Sequence, residues 1–365
     1  MSRDASRSST GPAAPVTAAG PGPPAPAAGS PGWRSRLSLG RSAGAATGIV
    51  AATVLLFAIS KIVEPQSLAH SSLLGMLPFA AILAIVAVGQ TLVIQQGGID
   101  LSVPGMISLT VVLMTSVPDG DNGKLAIAIV YALLAALAAG TLSGLLVSRV
   151  GITPIVTTLG MNALLYGFVI QVSNGNPPPT TSRLNDFATS KIAGIPTTVP
   201  IAIVVTVLVA FIVKKTVAGR RFEGVGASNS GARAAGLVVA RHKMVAYIAA
   251  ALLYCLAGIL LGGVVSDPSA FQGDSYLLPS VAAVVLGGTS LLGGRGSVAA
   301  SAVAALFVTQ LDQVLLTSGA SPATQNLVQA GALAIGIAIY SVPWGRVREW
   351  LRGRSNRGLA VTAPD

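Results

Sequence analysis

The chain is 365 residues long, 52% hydrophobic and only 10% charged, with a mean hydropathy of +0.73. Soluble domains carry roughly 25% charged residues. A water-soluble globular fold is therefore excluded: its surface would be largely apolar, a condition that lipid tolerates and water does not. One cysteine, Cys255, and two histidines exclude an intrachain disulfide and a zinc-type ligand cluster, so no metal site is expected.

In chain order, residues 1–43 come first, with seven prolines and five arginines in an Ala/Gly/Ser background. Such a segment cannot bury enough apolar surface to order itself and is expected to be a disordered cytoplasmic tail. The first apolar run starts too late for a cleavable signal peptide. A spanning helix needs about 20 mostly apolar residues, rising 1.5 Å each across roughly 30 Å of hydrocarbon. Segments meeting that need are 44–63, 71–94, 102–117, 124–148, 152–172, 199–213, 244–266, 278–293, 297–316 and 323–342. The predicted fold class is an all-α integral membrane protein of about ten transmembrane helices, with a transmembrane domain over 44–342 and a basic cytoplasmic tail over 343–365. The third and eighth segments are short and contain Gly or Pro. They are expected to be broken or re-entrant, which is tolerated where backbone is buried in protein.

Charge gives the orientation. With the N-terminus inside, alternation leaves only Lys61, Lys124, Arg183 and Lys191 outside, so 19 of the 23 basic residues fall inside. That asymmetry is the positive-inside pattern and places both termini in the cytoplasm. The sequence pI of 10.4 is thereby a topology signal, and no nucleic-acid partner is expected. Trp33, Trp344 and Trp350 fall near the inner interface, where amphipathic rings settle. Gly140 and Gly144, like Gly258 and Gly262, are four apart, a spacing that lets helix backbones approach.

The chemistry is first one of absences. No GxxxxGK[ST] phosphate loop occurs, so the chain is not expected to be an ATPase, and no Ser/His/Asp set assembles because His70 and His242 fall on opposite sides of the membrane. Polar groups at membrane depth are costly and mark candidate pathways. They are Gln90, Gln95, Gln96 and Asp100, then Asn162, then Gln310, Asp312 and Gln313, then Gln325 and Gln329. Amides and hydroxyls suit a neutral, hydroxyl-rich solute. Each also has a structural reading, as an inter-helix hydrogen bond or a helix cap, and Asp100 followed by Ser102 looks like a capping turn. An ion-coupled secondary transporter would need intramembrane ionisable groups, and only Asp100 and Asp312 qualify. The other informative stretch is the loop 214–243, with seven basic residues and a small-residue cluster at 231–236 suited to a docking partner.

Three strings together resemble the permease subunits of bacterial sugar ABC importers of the ribose/xylose/galactoside type: GQTLVIQQGGIDLSVPG at 89–105, TPIVTTLGMNALLYG at 153–167 and VAAVVLGGTSLLGGRGS at 281–297. The stretch from Gly224 to Gly236 is similar to the family's ATPase-docking segment, and the resemblance spans roughly 70–342. Departures are Pro104 in place of a usual Gly, Leu278 and Pro279 where acidic residues are frequent, Tyr166 in place of a frequent Arg, and a missing acidic residue before the docking alanines. The resemblance implies a pathway for a monosaccharide in the bacterial inner membrane, with Gln90, Gly97, Gly98, Asp100, Ser102, Asn162, Gln310 and Asp312 as its candidate residues. It implies a coupling surface of Gly224, Gly226, Asn229, Ala232, Arg233, Ala234, Ala235 and Gly236. The implied partners are a second permease chain, a cytoplasmic ABC ATPase that holds the ATP, an extracytoplasmic sugar-binding protein and the lipid bilayer, with no cofactor on this chain. Permeases for nucleosides or branched-chain amino acids are the nearest alternatives.

Overall fold

The computed structural model describes residues 34–341, with side chains from 46 to 338. The chain divides into units 1–39 and 40–365, and the helical bundle, apart from the first six residues of its first helix, belongs to the second. Its helices are α1 (Arg34–Val63), α2 (His70–Gln95), α3 (Val103–Ser116), α4 (Leu125–Leu145), α5 (Pro154–Ser173), α6 (Ser182–Thr189), α7 (Thr198–Lys215), α8 (Val217–Ala227), α9 (Asn229–Ala234), α10 (Val239–Val264), α11 (Leu277–Leu286), α12 (Val298–Thr317) and α13 (Pro322–Ser341). Among the described residues the sole strands are a two-residue hairpin, Lys191–Ile192 with Ile195–Pro196. Seven helical stretches are long and apolar enough to cross a membrane, while α3 and the stretch ending in α11 are apolar but short.

Each of the ten expected segments coincides with a helix, but three boundaries move. Helix α1 begins at Arg34, inside the stretch assigned to the tail. Helix α10 begins at Val239, five residues before the expected start, so Arg241, His242 and Lys243 are helical rather than loop. The eighth segment ends at Leu286 instead of 293. There Gly288 N–H donates to Val285 O and Thr289 N–H to Val284 O, at 2.8 and 3.2 Å, with Gly288 at φ +80°. Helix α2 stops by the same device: Gly97 N–H to Ile94 O at 2.9 Å, Gly98 N–H to Val93 O at 3.2 Å, and Gly97 at φ +79°. Both Gly-Gly pairs are thus left-handed helix stops that absorb orphan carbonyls. The rest of the two expected tails, with Trp33, Trp344 and Trp350, lies outside the described residues.

Helices α2 and α10 form the centre: in their apolar 18-residue stretches 61% and 56% of positions are buried, against 17% in those of α1 and α7. Around them one packing scheme is used twice: α10 packs on α4 as α2 packs on α12, α3 on α5 as α11 on α13, and α3 on α10 as α11 on α2. The two halves, α2–α5 and α10–α13, are therefore related in arrangement, and each carries its short helix in second place. Directions follow from the close contacts. Gly89 meets Ala250 and Tyr254 while Gly98 meets Tyr247, so α2 and α10 run antiparallel. Gly258 meets Ile107 and Thr110 while Gly262 meets Val111 and Met114, so α10 and α3 run parallel. One pattern inverted about the centre results, and paired interrupted helices in matching halves are where transporters build their pathways.

The glycine pairs read from the sequence do hold helices together. A methyl on Gly140 would sit 2.8 Å from Ile248 Cα, and one on Gly144 would sit 2.9 Å from Met244 Cα, so α4 and α10 touch backbone to backbone. Overpacking of this kind costs about 1–3 kcal/mol. Gly140→Leu is expected to lower the melting temperature of the detergent-solubilised protein by several degrees. Gly48→Leu, at a site with open space around it, should leave it unchanged. Equal melting of both variants would remove this contact from the packing account.

Candidate functional site

Helix α8 starts at an N-cap, Thr216, whose Oγ1 accepts from Gly219 N–H at 3.0 Å, and it is joined to α7 by the ion pair Lys214–Glu223 at 2.5 Å. Phe222 and Val225 are its buried face. Helix α9 follows at once, with Ser228 Oγ accepting from Gly231 N–H at 3.1 Å. A left-handed stop at Gly236 (φ +75°) ends it, where Leu237 N–H reaches Ala232 O at 2.9 Å. Ala232, Val225 and Val239 form a small apolar cluster beneath. Of the expected coupling residues, Gly224, Arg233, Ala234, Ala235 and Gly236 are exposed and Ala232 is buried. In the amide orientation that satisfies both of its polar atoms, Asn229 donates to Val225 O at 3.1 Å and accepts from Lys243 Nζ at 3.2 Å.

Gly226 does something else. A methyl there would overlap the carbonyl oxygen of Gln95. That carbonyl also accepts from Gly294 N–H at 2.9 Å, and a methyl on Gly294 would overlap Ala227. Gln96 Nε2 donates to Phe222 O at 2.9 Å. Three backbones meet here: the stop after α2, the Gly-rich turn 287–297 after α11, and the end of α8. Glycine is required at 226 and 294, because a side chain at the first would strike the Gln95 carbonyl and one at the second would strike Ala227. The Gln95 amide and the Thr289 hydroxyl are buried in this junction without a hydrogen-bond partner. A pair of unsatisfied polar groups is a costly feature in a buried site.

The eight expected pathway residues separate into two groups. Gln90 is buried, accepts from Tyr254 O–H at 2.8 Å and donates to Asp100 O at 3.3 Å. Asp100 Oδ1 accepts from Ser102 N–H at 2.9 Å and from its hydroxyl at 2.6 Å, a side-chain turn just ahead of α3, whose N-cap Ser102 makes no side-chain cap bond of its own. Asn162 Oδ1 accepts from Gly105 N–H at 2.7 Å, and Thr158 Oγ1 accepts from Leu101 N–H at 2.9 Å. Gly97, Gly98, Asp100 and Ser102 therefore lie in one turn between α2 and α3, held by Gln90 of α2 and Tyr254 of α10, while Asn162 of α5 bonds the start of α3 just beyond it. Gln310 and Asp312 lie at the opposite end. Gln310 Nε2 donates to Ser60 Oγ at 3.2 Å, tying α12 to α1. Asp312 Oδ1 accepts from Gln329 Nε2 at 2.7 Å and lines a cavity of about 440 Å³ with Ser72, Ser275, Thr309, Gln313 and Gln325.

Residues not singled out in advance also take part. Tyr247 and Tyr254 are two helical turns apart on α10, a seven-residue spacing visible in the sequence, and both face the 96–102 turn or its neighbours. Tyr166 donates to Asp274 and stacks edge-on against Phe271 with ring centroids 5.0 Å apart. No sequence spacing signals that contact, which spans 108 residues.

Over residues 72–337 the chain matches the family described as branched-chain amino acid transport system / permease component. It is 32% identical over 294 residues to the ribose import permease protein RbsC of Escherichia coli K12, covering 79% of this chain and 91% of that protein. Against the fructose import permease protein FruF of Bifidobacterium longum it is 32% identical over 290 residues, covering 75% and 81%. The autoinducer 2 import system permease protein LsrC of Escherichia coli is 30% identical over 298 residues, covering 81% and 86%. No solved structure matches the chain.

Proposed function

This chain belongs to the permease family of branched-chain amino acid transport systems, and from that premise we propose that it is the transmembrane subunit of an ATP-driven importer of a monosaccharide of the ribose or xylose kind. It is a multi-pass protein of the bacterial inner membrane. ATP is hydrolysed on a separate cytoplasmic subunit. We read ten crossings with both termini in the cytoplasm, a second permease chain completing the pathway, and an extracytoplasmic binding protein delivering the sugar.

The three-backbone junction is the observation that carries this reading. A partner seated on α8 and α9 pushes, through Gly226, on the stops of α2 and α11 together. Helix α2 leads into short helix α3, and α11 is itself the short helix of the other half.

The Asp312 cavity supports the sugar class. Beside apolar walls that include Met76, Phe79, Leu83 and Leu316, its lining supplies hydroxyls, amides and one carboxylate, and contains no Lys or Arg. An amino acid's ammonium could pair with Asp312, but its carboxylate would find no Lys or Arg in this lining, whereas sugar hydroxyls can donate to Asp312 and bond the amides without leaving a charge unpaired. Losing a hydrogen bond to a charged group costs about 1.5–3 kcal/mol. Asp312→Asn is therefore expected to reduce ribose uptake at low concentration about tenfold, a factor equivalent to 1.4 kcal/mol. The assay is labelled-sugar uptake in proteoliposomes with the ATPase and binding protein, normalised to permease abundance. Unchanged uptake would return Asp312 to a purely structural bond with Gln329, and efficient leucine uptake would overturn the sugar assignment.

A further inference from the structure

A second cavity, of about 430 Å³, lies between α7, α8 and α10 at the end of the bundle that carries the docking segment. Its walls are apolar: Leu92, Val209, Val213, Phe222, Ala246 and Ala249. Its rim is basic, with Arg221, Arg241 and His242. Arg221 and Arg241 are exposed, and the two ion pairs among the described residues, Lys124–Asp121 and Lys214–Glu223, involve neither. Outside the cavity, α7 presents Val204, Val207, Leu208 and Phe211, all exposed and large.

Such a site rejects a sugar, because burying hydroxyls against an apolar wall without hydrogen bonds is unfavourable. It equally leaves an anion no reason to enter the interior. The combination fits a molecule with an apolar tail and an anionic head. Membrane-spanning proteins place such molecules at basic pockets between helices on the cytoplasmic side, and the arginine rim lies where this chain's basic residues gather. We propose that the cavity binds an anionic phospholipid, its acyl chain against Phe222 and Ala246 and its phosphate between Arg221 and Arg241. This bound lipid would seat α8 against α7 and α10, beside the junction at Gly226. The proposal rests on membrane insertion and is independent of which solute is carried.

The test reconstitutes the full-length permease into nanodiscs of equal phosphatidylglycerol and phosphatidylcholine, extracts it gently and counts retained lipids by native mass spectrometry. Wild type should retain phosphatidylglycerol at least tenfold over phosphatidylcholine. Arg221→Ala/Arg241→Ala should abolish that preference, and Arg221→Lys/Arg241→Lys should restore most of it. Ala249→Phe, which fills the cavity, should reduce retention with the arginines intact. Melting temperatures in zwitterionic detergent, unchanged in the arginine variants, show that they are folded. Equal retention of both lipids by wild type, or wild-type retention by the double alanine variant, would overturn the proposal. So would loss of a permease dimer in that variant with lipid retention intact, since the face would then belong to a second chain.

Discussion

Ala235→Trp is expected to weaken association of the cytoplasmic ATPase at least tenfold while permease abundance stays at the wild-type level. Ala235 is the exposed C-cap of α9, at the tip of a segment whose own core is Val225, Ala232 and Val239. A large side chain there adds volume to the docking face without entering that core. Overpacking a fitted contact costs about 1–3 kcal/mol, and 1.4 kcal/mol is a factor of ten in affinity. Co-purification of the ATPase and sugar-stimulated hydrolysis in proteoliposomes both read the effect. Two neighbours separate docking from folding. Gly236 holds φ +75°, so Gly236→Trp strains the turn as well as the face, and Ala232→Trp disrupts the cluster beneath. Wild-type association by the Ala235 variant would place the partner elsewhere.

Gly226→Ala is expected to lower sugar uptake at least tenfold while the ATPase still co-purifies. One methyl is a small change on a surface helix, but at this position it overlaps Gln95 O, the same atom that Gly294 N–H bonds at 2.9 Å. Either α8 lifts from the two stops or the Gln95–Gly294 bond opens. Helix propensity works the other way, since Ala stabilises a helix over Gly by about 1 kcal/mol. Helix α8 should therefore keep its structure and its partner. The signature is uncoupling: hydrolysis continues and transport falls. Gly48→Ala, in open space on α1 and outside the docking segment, is the control and should transport normally. If Gly226→Ala transported like wild type, the junction would not be the route by which the docking segment acts on the membrane helices.

Much of this protein was determined by its sequence alone, because lipid imposes strong one-dimensional constraints. Each run of about 20 apolar residues must become a helix to satisfy its own backbone, and every candidate run is one, including the short third and eighth. The Asp100–Ser102 turn and the small-residue cluster of the docking loop are local features whose partners lie within a few residues, so they too were legible. Helix ends were less so: the stop at Leu286 depends on Gly288 adopting positive φ, and the apolar pattern runs on past it to Leu292. What only the tertiary structure decided are the meetings between distant backbones. Gln95, Gly226 and Gly294 share one contact although 131 and 68 residues separate them in turn, and glycine has no side chain to announce a partner. Likewise six of the eight expected pathway residues gathered around one turn while Asp312 lines a cavity at the other end of the bundle. Composition places a polar residue at membrane depth. Which face it turns to, and whether a neighbouring helix satisfies it, depends on helix rotation and packing, which a hydropathy pattern with apolar residues on every side leaves undetermined.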